Sequence, residues 1–114
     1  MIERKKFKLH YSKEALRDLD EVWEFYRDEY QNVDAAVKII DKITNDIDQL
    51  EDFPELGPML SSIADVRSIY RFLVSDQYLS FYRINGETIE IDRVLYGRRD
   101  YLSILLDEAA SGSK

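Results

Sequence analysis

The chain has 114 residues, of which 45% are hydrophobic and 34% charged, with a net charge of −7 and no cysteine. That is enough for one domain with a buried core and too little for two. The missing thiols exclude disulfides and thiolate metal sites and fit the cytoplasm. No apolar run of about 18 residues is present to span a membrane, and the charged start, Met1 to Lys6, leads into no signal-peptide core.

The charge is uneven along the chain. Residues 1–60 hold nine Lys/Arg against fifteen Asp/Glu, and residues 61–114 hold seven against eight. Between Val66 and Asp100 every basic residue is an arginine: Arg67, Arg71, Arg83, Arg93, Arg98 and Arg99. An acidic chain is repelled as a whole by nucleic acid. A guanidinium, however, suits bidentate contact with carboxylate or phosphate and stacking on tyrosine.

Phe7 to Tyr11 alternates apolar and polar residues and predicts a short strand. Ser12 offers an N-cap, and Leu16, Leu19, Trp23, Tyr26 and Tyr30 then recur at steps of three and four, one face of a helix. Asp34 is expected to start a second helix, with Ala36, Ile40, Ile43, Ile47 and Leu50 as its stripe. Three residues, Gln31 to Val33, separate the two, so they should form an antiparallel hairpin. Phe53-Pro54-Glu55-Leu56-Gly57-Pro58 ends the second helix.

Three strands are expected next: Ile69 to Val74, Tyr78 to Ile84 and Thr88 to Leu95. Asn85-Gly86 suits a two-residue type I′ hairpin turn, since both residues tolerate positive φ. That turn would set Ile84 opposite Glu87, Tyr82 opposite Ile89, Ser80 opposite Ile91 and Tyr78 opposite Arg93. It would place Arg93 where the helix-covered side runs out, unless a β-bulge near Asp92 flips the assignment. Asp100 can cap a last helix, Tyr101 to Ala110, with Leu102, Leu105 and Leu106 inward. The expected fold is α+β, a helical hairpin packed on a small antiparallel sheet in the order β-α-α-β-β-β-α. Residues 1–110 form its single domain and residues 111–114 a polar tail.

Three stretches carry a resemblance. They are Tyr70-Arg71-Phe72-Leu73-Val74, Tyr78-Leu79-Ser80-Phe81-Tyr82-Arg83-Ile84, and Ile89 through Val94-Leu95-Tyr96-Gly97-Arg98-Arg99-Asp100. With Ala15-Leu16-Arg17-Asp18-Leu19 and the Pro54-x-x-Gly57 helix exit, this order is similar to the RelE/ParE toxin superfamily. Two departures stand out: Tyr96 lies where the family usually has histidine, and this chain is acidic where many members are basic.

The resemblance implies a bacterial type II toxin, of the kind linked to plasmid stabilization, neutralised by a cognate antitoxin that wraps it. It leaves two activities open. RelE-like members are ribosome-dependent endoribonucleases that cut mRNA, and ParE-like members inhibit DNA gyrase without being enzymes. On the nuclease reading Arg71, Arg99 and Tyr101 would serve as catalytic residues. That pattern is poorly met. Leu79 stands where an arginine is expected, Tyr70 and Phe72 lie nearest the two expected lysines, and the C-terminal tyrosine position falls near Leu105. The ParE-like reading is therefore preferred, with Arg93, Arg98, Arg99 and the C-terminal helix as the target surface. Trp23, Phe25, Tyr78 and Tyr82 are the expected antitoxin contacts. A third reading is a member that binds its antitoxin and poisons nothing.

His10, the lone histidine, is read as structural or exposed. The pairs Asp18/Glu21 and Asp46/Asp48 are read as solvated helix faces, and no metal, cofactor or membrane partner is expected.

Overall fold

The computed structural model describes residues 6–62, 68–98 and 101–105. Lys8–Tyr11 forms β1 and Lys13–Glu24 forms α1. Ser12 joins them as expected, its Oγ accepting the Ala15 N–H at 3.0 Å and so satisfying one of the unpaired donors of the first turn. Phe25–Glu29 continues the helix with a widened π-helical turn. Gln31, at φ 49°, then reverses the chain in the left-handed region. The second helix, α2, runs over Val33–Asp48. Its cap is Asn32, whose Oδ1 accepts the Ala35 N–H at 3.0 Å, in place of the expected Asp34.

Arg71–Ser75 forms β2, Tyr78–Asn85 β3 and Thr88–Tyr96 β4. The sheet order is β1-β4-β3-β2. β2, β3 and β4 are antiparallel neighbours, whereas β1 lies parallel to β4. The sheet is thus mixed, a correction to the all-antiparallel expectation, and β2 begins two residues later than expected. Residues 101–105 are helical, which completes the order β-α-α-β-β-β-α and the α+β class. The Asp100 cap and the rest of the expected last helix lie outside the described residues.

The Asn-Gly segment does join β3 to β4, but the turn lies one residue further on and each pairing near it is two residues out of the expected register. Asn85 pairs with Thr88, so the turn residues are Gly86 and Glu87. Of these only Gly86 has positive φ, +61°, the sign pattern of a type II′ turn. Ile84 therefore faces Ile89, and Tyr82 faces Ile91. Between Phe81 and Tyr82 the register shifts, because Asp92 is an extra residue on β4. Beyond that bulge Phe81 faces Arg93 and Tyr78 faces Tyr96.

Two cores result. The larger, between helices and sheet, holds Ile39, Ile43, Ile47, Leu50, Tyr82, Ile89, Ile91 and Val94. The smaller lies on the other face, where Phe72, Phe81 and Leu95 meet Leu60 and Leu105. The α1 stripe is rotated by one residue from expectation. Ala15, Asp18 and Val22 point inward, and Leu16 is 51% exposed. On α2, Ile39 takes the buried place expected for Ile40, which packs at the margin.

Candidate functional site

β1 has four residues and pairs only with Thr88 to Ile91, which leaves the last part of β4 without a neighbouring strand on the edge away from β3. The start of α1 covers that edge. The Ser12 N–H donates to the Ile91 carbonyl at 3.0 Å, and Ser12 Oγ donates to the Asp92 carbonyl at 2.8 Å. Two turns on, Asp18 takes over. Its Oδ2 accepts the Val94 N–H at 2.9 Å, and its two oxygens receive Nε and Nη2 of Arg93 at 2.7 and 2.8 Å. The two side chains are only 5% and 13% exposed. Asp18 thus replaces a missing strand as hydrogen-bond acceptor and pins the helical hairpin to the sheet. It is not part of a solvated helix face, and Arg93 is turned inward, which corrects the expected place of both.

The other described arginines on the strands are held separately. Arg83 donates to both oxygens of Asp92, at 2.6 and 3.3 Å, and Tyr70 donates its hydroxyl to the same carboxylate at 3.0 Å. That contact, outweighing partial burial, raises the Arg83 pKa further above its usual range. Arg71 donates to the Gly57 carbonyl at 2.8 Å and so braces the loop after α2. Arg98 is exposed at the end of β4. Arg67 and Arg99 lie outside the described residues. The guanidiniums of Arg71, Arg83 and Arg93 therefore go to three different partners rather than to one shared surface.

Tyr82 is fully buried. Its hydroxyl donates to the Pro54 carbonyl at 2.8 Å and accepts the Gly57 N–H at 2.9 Å, tying the helix exit to the sheet. Burial raises its pKa. A side chain at Gly57 would overlap the Phe72 carbonyl oxygen and press on the Tyr82 ring at 2.9 Å, so the backbone approach requires glycine. Tyr78 is also buried; its ring lies 5.8 Å from that of Tyr96, and burial, then the neighbouring Tyr26, raises its pKa. Tyr101 sets its ring 5.3 Å from Phe81.

Of the expected antitoxin contacts, Phe25 is 44% exposed and Trp23 half-buried, while Tyr78 and Tyr82 belong to the core. The widened turn packs Phe25, Tyr26 and Tyr30 together, with ring centroids 5.1–5.6 Å apart. Sequence reasoning placed Tyr26 and Tyr30 on the core stripe, yet Tyr30 is mostly exposed. His10 pairs with Glu90 at 2.6 Å across β1 and β4, with its side chain largely exposed. Asp46 bonds Ser75 Oγ at 2.7 Å and Lys42 at 3.2 Å, so it too is no freely solvated group. Among the described residues no three His, Asp or Glu gather to hold a metal ion, and no helix is long and apolar enough to cross a membrane.

A family model described as "ParE toxin of type II toxin-antitoxin system, parDE" matches residues 9–101. No curated protein matches the chain. Among solved structures, "Chromosomal ParDE TA system from P. aeruginosa" is similar with a TM-score of 0.67 at 20% identity, over 80% of this chain and 96% of that one. At that identity the likeness carries the fold.

Proposed function

We propose that this chain, which belongs to the ParE toxin family of type II toxin–antitoxin systems, arrests growth by poisoning DNA gyrase in the cytoplasm and is neutralised by a cognate antitoxin. On this reading it acts by binding and not as an enzyme.

The observation that carries the choice of target is the separation of the groups a nuclease would need. Cleaving RNA requires a proton acceptor, a proton donor and cations converging on one phosphate. Arg71 alternates with Phe72 along β2 and so shares the helix-side face with Leu73, whereas Tyr101 packs on the opposite face with Phe72 and Phe81. Arg71 is engaged by the Gly57 carbonyl, and Tyr101 stacks on Phe81. These placements favour gyrase over the ribosome-dependent endoribonuclease reading.

The target surface then narrows to Arg98, Arg99 and the C-terminal helix, with Arg93 acting from behind as a structural brace. Phe25 and Trp23 remain the accessible antitoxin contacts, whereas Tyr78 and Tyr82 are core residues. Inducible expression tests this. Growth arrest with a DNA-damage response, relieved by co-expressing the small reading frame beside the gene, is expected. Messages cut at the ribosome would transfer the assignment to the nuclease branch, and harmless expression would favour a member that only binds its antitoxin.

A further inference from the structure

The chain has three asparagines, Asn32, Asn45 and Asn85, and their surroundings differ. Asn32 caps α2: its side-chain oxygen is held by the Ala35 N–H at 3.0 Å, and the β-branched Val33 follows it. Asn45 lies inside α2, where the N–H of the next residue, Asp46, is taken up by the helical ladder. Asn85 has neither protection. It is exposed at the end of β3, Gly86 follows it, and its side-chain amide makes no hydrogen bond among the described residues. Gly86 is equally open. Its N–H is unbonded among the described residues, and a Cβ built on it would meet no atom within 4 Å. The Gly86 nitrogen and the Asn85 carboxamide are thus tethered within reach of each other, so a ring closure between them is unimolecular.

We propose that Asn85 is a modification site of this protein, converted with time to isoaspartate and aspartate by attack of the Gly86 main-chain nitrogen. That nitrogen, after losing its proton to solvent base, forms a bond to Asn85 Cγ. The bond from Cγ to the side-chain nitrogen breaks, and the side-chain nitrogen takes up a proton and leaves as ammonia. Water then opens the cyclic imide at one of its two carbonyls and returns a proton to the Gly86 nitrogen. Opening at Cγ gives aspartate. Opening at the main-chain carbonyl gives isoaspartate, in which the chain runs through Cβ and Cγ and the α-carboxylate hangs free. Water is the only co-reactant, and the reaction does not depend on the proposed target.

The fold sets both the rate and the consequence. Asn85 pairs with Thr88, the last pair of the hairpin. A terminal pair opens at small cost, and its opening frees the Asn85 side chain to swing toward the Gly86 nitrogen. The Glu87 carbonyl accepts the Lys8 N–H at 2.9 Å, so the same loop holds the first residue of β1. A methylene inserted between Asn85 and Gly86 displaces that carbonyl, and the new carboxylate stands beside Glu87. Isoaspartate therefore loosens β1 in its parallel seat beside β4.

The test ages the full chain in mildly alkaline buffer and follows the tryptic peptide of residues 84–93 by mass spectrometry. That peptide is expected to gain the mass of an oxygen replacing NH, at a rate that climbs with pH. The rate should exceed those at Asn32 and Asn45 by about tenfold or more, because glycine neither shields its nitrogen nor resists ring closure. An isoaspartyl methyltransferase with labelled S-adenosylmethionine should mark the same peptide, and Asn85→Ser should remove both signals. The aged chain should unfold at a lower urea midpoint than the fresh one, while Asn85→Ser keeps its midpoint on ageing. Fresh Asn85→Asp, which carries the charge without the inserted methylene, should match the fresh chain. A peptide of constant mass, or one that reacts no faster than Asn32 and Asn45, overturns the site. Mass gained without methyl labelling overturns the isoaspartate product, and a labelled chain with an unchanged midpoint overturns the link to β1.

Discussion

Asp18 shows how one side chain can stand in for a strand. It accepts an edge amide of β4 and a bidentate guanidinium while almost fully buried. Removing it strands a buried cation and a main-chain donor together. Asp18→Ala is expected to cost about 3–5 kcal/mol, read as a lower urea midpoint at unchanged slope. A shift below 1 kcal/mol would mean that water replaces the carboxylate. Tyr82→Phe deletes both bonds of its hydroxyl and should cost about 1–3 kcal/mol in the same measurement. At alkaline pH another tyrosine matters. Burial, and then the Asp48 charge, pushes the Tyr11 pKa up to about 12. A pKa raised by folding gives stability that is complete below the ordinary value near 10 and is lost as pH climbs toward 12. Unfolding midpoints from about pH 9 to 12 should fall, and fall less in Tyr11→Phe. None of these three roles was legible in the sequence. A hydrophobic stripe passes over an aspartate by construction, although Ala15, Asp18 and Val22 have the spacing of a buried face. A tyrosine in an alternating strand gives no sign of where its hydroxyl goes.

At the scale of elements, the helices were legible in extent and less so in facing. Apolar residues on α1 exceed what its contact with the sheet can cover, so Leu16 and Tyr30 read as core yet lie outside. Leu16→Ala should therefore change stability by no more than about 0.5 kcal/mol, whereas Ile43→Ala should cost about 2–5 kcal/mol. Thermal unfolding of both decides which stripe is buried. The hairpin turn was legible as a turn because Asn85-Gly86 permits positive φ. Its register was not, since only Gly86 uses that freedom and the loop moves on by one residue. The bulge at Asp92 then brings Val94 onto the helix side and sets Arg93 opposite Phe81, from where its guanidinium reaches Asp18. A single extra residue in β4 thus moved an arginine from an expected target surface into an internal ion pair.

Across the whole molecule, the α+β class and element order could be read from hydrophobic period and turn residues. The parallel seat of β1 beside β4 could not, because it joins residues some eighty positions apart and leaves no local pattern. Family membership was legible in the order of several weak motifs, and the match over residues 9–101 agrees with it. Charge is unevenly spread as well: the hairpin is acidic, and the basic residues of β2, β3 and β4 are all arginines engaged with different partners. The central claim remains gyrase as the target. Purified chain, purified gyrase, supercoiled plasmid and ATP test it without the cell. Linear plasmid bound covalently to gyrase should accumulate with added chain and disappear when the antitoxin is added first. Intact plasmid, together with mRNA cut only when ribosomes are supplied, would contradict the account.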